Sequence, residues 1–202
     1  IILLLLISRF AGRSWCGGLC PMGAWQEFWA PVIRGPVTSG WRNLIKYAVF
    51  VLWLLAIVAS FMAAGGIRGI DPFYGTVGGI SVSSFDVLKM VVMIFVVILV
   101  VAFIVGKRGF CHLLCPIAVI MIAGRAIRNR LGWSALRLSA AADACTGCRT
   151  CERNCPMGLP VRDMVKRERM EDAECILCAR CADSCPEHAI GYSVGPGEQQ
   201  TR

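Results

Sequence analysis

Eight cysteines in the second half of the chain repeat one pattern. "CTGCRTCERNCP" places Cys145, Cys148, Cys151 and Cys155 before Pro156, and "CILCARCADSCP" places Cys175, Cys178, Cys181 and Cys185 before Pro186. Both read Cys-x2-Cys-x2-Cys-x3-Cys-Pro, and corresponding residues such as Cys145 and Cys175 stand 30 positions apart. Three thiolates so spaced wrap one corner of a [4Fe-4S] cube, with the amides of the tight turn directed at the sulfurs. The fourth cannot reach back past its own proline, and in two-cluster ferredoxins it ligates the other cluster. The pattern therefore assigns Cys145, Cys148, Cys151 and Cys185 to one cluster, and Cys175, Cys178, Cys181 and Cys155 to a second. A structural zinc site would use paired Cys-x2-Cys knuckles closing on one tetrahedral ion, which a third cysteine three residues on does not suit.

The other four cysteines form a second, weaker signal. "AGRSWCGGLCPMGAW" carries Cys16, Cys20 and Pro21, and "KRGFCHLLCPIAVI" carries Cys111, Cys115 and Pro116. The two Cys-x-x-x-Cys-Pro motifs lie 95 residues apart, as Cys16 and Cys111 do. Spacing of i and i+4 puts each pair on one face of a helical turn, and the proline suits the first turn of a following helix. Three readings stand for these four: an additional metal or iron–sulfur centre, a redox-active thiol site, or apolar thiols that merely pack helix ends. His112 reads as a hydrogen-bonded interfacial histidine before it reads as a supplementary ligand. His188 reads as a surface residue.

The elements that must hold these groups divide the chain in two. Of its 202 residues 56% are hydrophobic and only 17% charged, against about 25% charged in an ordinary soluble domain. The apolar excess lies before position 124. "LIKYAVFVLWLLAIVASFMAA" over 44–64 and "VLKMVVMIFVVILVVAFIVG" over 87–106 are each long enough to cross a bilayer core of roughly 30 Å. The net charge of +8 gathers beside these runs, which points to membrane topology and not to nucleic acid.

Arg9, Arg13, Arg34, Arg42 and Lys46 precede the first span, and Lys107, Arg108, Arg125, Arg128, Arg130 and Arg137 follow the second; the connection between them carries only Arg68 and Lys89. That asymmetry places both Cys-x-x-x-Cys-Pro motifs, and everything after them, in the cytoplasm. There disulfides are disfavoured. The glycine-rich outer loop offers Asp71 and Tyr74 as hydrogen-bonding groups, although a structural turn is the plainer reading.

"IILLLLISRF" reads as the last turns of a membrane helix that starts upstream. The segments after Pro21, with Trp25, Phe28 and Trp29, and after Pro116 read as interfacial helices. The expected domains are a membrane domain over 1–124 with a truncated helix at 1–10, a basic interfacial connector over 125–140, and a ferredoxin domain over 141–194. The charged linker "VRDMVKRERMEDAE" between the cysteine runs reads as a short helix with a solvated face. The final "GYSVGPGEQQTR" reads as a tail, residues 195–202 lying beyond the domain.

The order of membrane helix, Arg-x-x-Cys-x-x-x-Cys-Pro, membrane hairpin, second Cys-x-x-x-Cys-Pro and C-terminal cysteine runs resembles the NapH/NosR/CcoG-type polytopic ferredoxins from Arg13 to Ile190, most closely the compact NapH-like members. The resemblance implies an α-helical membrane domain with a small α+β bacterial two-[4Fe-4S] ferredoxin-like domain in the cell inner membrane, and a further helix upstream. It implies an electron-transfer subunit of quinol dehydrogenase type, passing electrons between the quinone pool or a membrane partner and two cytoplasmic [4Fe-4S] clusters within a respiratory complex. The alternative is a copper reductase or metalloenzyme maturation factor that uses Cys16, Cys20, Cys111 and Cys115, since thiolates suit copper(I).

Overall fold

The structure, a computed structural model, describes residues 13–33, 35, 41–63, 65, 76–77 and 81–195. The apolar run at 1–10, the loop residues Asp71 and Tyr74, and residues 196–202 lie outside the described residues.

Among the described residues, two helices are long and apolar enough to cross a membrane: α3 (Ile45–Ala63) and α4 (Phe85–Val105), 19 and 21 residues. Their side chains point outward, with Leu52, Leu55, Met62 and Ile104 all exposed, where the core helix of a water-soluble domain would bury them. Helix α4 starts two residues before its apolar run. The Ser84 side chain accepts the Val87 amide and Asp86 sits in the first turn, satisfying an otherwise orphaned donor at the positive end of the helix. It stops at Gly106, whose φ of 119° few residues but glycine adopt. A two-residue hairpin, β1 (Thr76–Val77) with β2 (Ser81–Val82), precedes it.

Each Cys-x-x-x-Cys-Pro motif builds the same corner. A five-residue helix, α1 (Ser14–Gly18) or α5 (Gly109–Leu113), ends just before a cysteine in extended conformation. That cysteine caps a second helix with proline in its first turn, α2 (Pro21–Phe28) or α6 (Pro116–Arg130). The caps are near-copies, with φ/ψ of −71°/118° at Cys20 and −74°/110° at Cys115. Trp25 of α2 and Trp29, which follows the helix, pack edge-on and tilted against Phe95 and Phe103 of α4, so the aromatics expected at an interface lie along a candidate span.

The ferredoxin module pairs β3 (Ala135–Ala140) antiparallel with β4 (Ile190–Gly195), from Ala135↔Gly195 to Ala140↔Ile190. Between them run the two cysteine stretches, each with a four-residue helix, α7 (Thr150–Arg153) and α9 (Arg180–Asp183), joined by α8 (Val161–Lys166). The core is Met121, Leu138, Met157, Leu159, Val161, Val165, Ile176 and Ile190 around the cysteines.

Three expectations change. The stretch 125–140, read as a connector, holds the end of α6 and all of β3, because Ala135, Leu138 and Arg137 turn inward against β4 and the cysteine loops. Helix α6 does not lie free at an interface: Ala118, Val119, Met121, Arg125 and Arg128 are all buried. Residues 191–195, read as tail, complete the sheet.

Candidate functional site

The two cysteine runs share their backbone path as well as their spacing. Left-handed φ occurs at Gly147 and Leu177, at Arg149 and Ala179, and at Gly158 and His188, each pair 30 residues apart. Arg149 and Ala179 cap the short helices, so each loop reverses between its second and third cysteine. Holding a residue other than glycine there costs roughly 1–2 kcal/mol, which the surrounding packing sustains.

These loops form two partly open pockets. Cys145, Cys148, Cys151 and Cys185 line one. Cys155, Cys175, Cys178 and Cys181 line the other, which is walled by Leu138, Met157, Leu159 and Ile176. Each pocket thus takes three thiols from one run and the fourth from the other.

Electrostatics repeats this grouping. Burial raises the pKa of Cys151, and Cys185, Cys145 and Cys148 add to the rise. Burial pushes Cys181 up to about 12, with Cys175, Cys178 and Cys155 adding. Cys148 differs: it is exposed, and hydrogen bonds from Thr150 lower its pKa.

Four thiols around an apolar pocket, three from one run and the fourth from the other, are the donor set that an iron–sulfur cube takes. Among the described residues, no group of three or more His, Cys, Asp or Glu is arranged to hold a single metal ion, so the donor sets surround a volume and do not converge on a point.

The four other cysteines come together at the motif ends of the spans. Cys16 and Cys111 are buried and Cys20 and Cys115 half-buried. Burial raises the pKa of Cys16, with Cys111 and Cys20 adding to the effect. Cys115 is pushed up to about 12, first by burial and then by Cys111. The thiols of Cys16, Cys111 and Cys115 thus lie within range of one another's fields. The copies interlock: Gln26 donates to Cys111 Sγ at 3.3 Å and accepts the Phe110 amide, and Arg108 donates to the Cys16 carbonyl at 2.8 Å. His112 is buried and hydrogen-bonds Asn43, whereas His188 is exposed. Beside Cys20 an open cleft of about 660 Å³ is bounded by Ala24, Glu27, Phe28 and Arg108.

Ion pairs, buried except at the exposed Arg180, join the half with the two long apolar helices to the cysteine-rich module. Arg13 and Lys46, both fully buried, pair with Glu174. Arg125, Arg128 and Arg137 converge on Glu171. Glu27 pairs with Arg108 and Arg180. The linker carboxylates Glu171 and Glu174 are therefore acceptors for buried cations and not a solvated face. Sequence reasoning missed them because a mixed charge run reads as solvated. The one available signal was Val165 and Met170 interleaved among the charges, both of which are buried.

The 4Fe-4S dicluster domain family matches residues 144–190. A 4Fe-4S binding domain family matches 1–38 and 88–134, one segment over each Cys-x-x-x-Cys-Pro motif. Among curated proteins, the chain is 24% identical to the ferredoxin-type protein NapH of Haemophilus influenzae, over 96% of this chain and 66% of that one. It is 23% identical to the putative electron transport protein YccM of Escherichia coli, over 92% and 52%. It is 25% identical to the nitrogen fixation protein FixG of Rhizobium meliloti, over 90% and 38%. The chain thus spans about two thirds of the first, half of the second and well under half of the third. No solved structure matches it.

Proposed function

We propose that this chain is a NapH-like membrane ferredoxin that passes electrons between a membrane quinol or membrane partner and a redox protein in the cytoplasm. It is an iron–sulfur electron-transfer protein related to NapH, FixG and YccM. The observation that carries the finer reading is the pair of four-thiol cavities in one module, tied by buried ion pairs to helices able to cross a membrane.

A [4Fe-4S] cluster in each cavity supplies a one-electron site. Cys145, Cys148, Cys151 and Cys185 would hold one, and Cys175, Cys178, Cys181 and Cys155 the other. The protein's own share of the work is positional. Leu138, Met157, Leu159 and Ile176 give the second pocket an apolar wall, and the exposed Cys148 leaves the first accessible to a partner. A quinol releases two electrons and two protons on oxidation, and two one-electron sites in one chain match that count. The cleft beside Cys20, with apolar Phe28 and the Glu27–Arg108 pair, is the place where a quinol head group would bind at the membrane edge.

A second reading rests on the clustering of Cys16, Cys20, Cys111 and Cys115. Cysteines are the donor type that copper(I) or a further iron–sulfur centre takes, and the chain would then serve metal handling, although among the described residues these four do not converge on a single ion. One experiment addresses both. Anaerobically purified protein in nanodiscs is analysed for iron, sulfide and copper, then mixed with menadiol under EPR. About eight irons per chain and reduced-cluster signals on adding menadiol support the quinol relay. Eight irons with no reduction by menadiol would remove the quinol. Extra iron or bound copper, lost when the four cysteines become serine, would establish the second reading.

A further inference from the structure

Among the described residues, the membrane half packs closely on the second cysteine run. A Cβ placed on Gly17 would stand 2.7 Å from the Ile176 carbonyl oxygen and 3.4 Å from Cα and Cβ of Cys178, whereas the adjacent Gly18 has nothing within 4 Å. Helix α1 therefore lies backbone to backbone on the 175–178 turn, an approach only glycine allows. Two residues from that contact, Glu27 Oε1 meets Arg180 Nη1 at 2.6 Å, between Cys178 and Cys181, while its other oxygen holds Arg108 at 3.1 Å. Arg13 donates to the Ala173 carbonyl at 2.8 Å, and Arg125 to the Cys175 carbonyl at 3.0 Å. In the turn carrying Cys145, Cys148 and Cys151, by contrast, Thr146, Cys148 and Arg149 are exposed.

We propose that the first Cys-x-x-x-Cys-Pro motif is a positioning device for the second cysteine run, with Gly17 and Glu27 as the positioning residues. The group held by Cys155, Cys175, Cys178 and Cys181 then takes its redox properties partly from the membrane half, and the group held by Cys145, Cys148, Cys151 and Cys185 does not. This rests on the iron–sulfur reading above. The physical cause is twofold. The Ile176–Cys178 amides that would face the cluster sulfurs are fixed by α1, and potential depends on such hydrogen bonds and on nearby charge. The Glu27 carboxylate sets the position of the Arg180 guanidinium inside the loop.

The test is an EPR-monitored redox titration of the full chain, purified anaerobically in detergent. Cys178→Ser and Cys148→Ser assign the two signals. Gly17→Val, which must displace the Ile176 carbonyl, and Glu27→Gln are each expected to keep the iron content and to shift only the midpoint of the signal that Cys178→Ser alters. Glu27→Asp, which keeps the carboxylate, restores that midpoint in part. A shift of both signals, of the Cys148→Ser signal alone, or of neither would overturn the inference. Should Gly17→Val lose iron by misfolding, the Glu27 pair gives the answer unaided. Wild-type protein without about eight irons would overturn the relay reading itself, an outcome distinct from the others.

Discussion

Glu171 grips Arg125 as a fork, its two oxygens taking Nε at 3.2 Å and Nη2 at 2.5 Å. The same carboxylate also accepts from Arg128 and Arg137 at 3.0 Å each. One anion from the linker between the cysteine runs thus fastens α6, β3 and the ferredoxin loops together. Burial alone would raise its pKa, but the hydrogen bonds and charge of Arg125, with Asn129 and Arg137, hold it at about 2.

Replacing Glu171 by Gln leaves three buried guanidinium groups without their anion. Arg128 is already pressed down to about 10, first by burial and then by Arg137. Breaking such a pair costs about 3 kcal/mol, so Glu171→Gln lowers the thermal unfolding midpoint at pH 7. The folded pKa lies below the ordinary value of 4.5. The stabilisation is therefore complete above that value and is lost as pH falls from about 4.5 toward 2. The gap between wild type and Glu171→Gln, followed by circular dichroism, closes over that interval.

Cross-ligation makes a prediction that spacing within one run would not. Cys155→Ser alters the same EPR signal as Cys178→Ser, and Cys185→Ser the same signal as Cys148→Ser. Grouping by run, with Cys155 following Cys148, is the outcome that rules the exchange out.

His188 and Gly158 occupy equivalent left-handed turns, with φ of 48° and 63°. His188→Gly relieves a side chain from that region and raises stability by up to about 1 kcal/mol, while Gly158→His lowers it by about 1–2 kcal/mol. Opposite signs in the two melting curves, with iron content unchanged in His188→Gly, also separate His188 from the cluster ligands.

Gln26 is the joint between the two Cys-x-x-x-Cys-Pro motifs. Gln26→Met keeps the volume but strands the buried Phe110 amide, costing about 2 kcal/mol. Burial raises the Cys111 pKa, Arg108 opposes the rise, and the Gln26 hydrogen bond opposes it further. Losing that bond leaves less thiolate, so iodoacetamide modifies Cys111 more slowly in the variant at pH 8.

Much of this was written in the spacing of particular residues. The eight-cysteine pattern implied the exchange of Cys155 and Cys185 because a proline directs each fourth cysteine away from its own run. The two spans were plain in their apolar length, and Pro21 and Pro116 marked the first turns of α2 and α6. The charges were harder to read. Arg13, Lys46, Arg108, Arg125, Arg128 and Arg137 entered the sequence argument as topology signals beside membrane runs, yet all six are buried. Their partners Glu27, Glu171 and Glu174 lie up to 161 residues away in the chain. No local pattern encodes a pairing at that distance.

The sequence by itself determined which cysteines line each pocket and where helices are long and apolar enough to cross a bilayer, since each follows from spacing or length along one stretch of chain. The tertiary structure decided the relations between stretches. It closed the sheet with 135–140 and 191–195, brought Cys16, Cys20, Cys111 and Cys115 to one place, and set Gly17 on the carbonyl of Ile176. Those depend on packing and on burial of opposite charges, which exist only once distant segments meet.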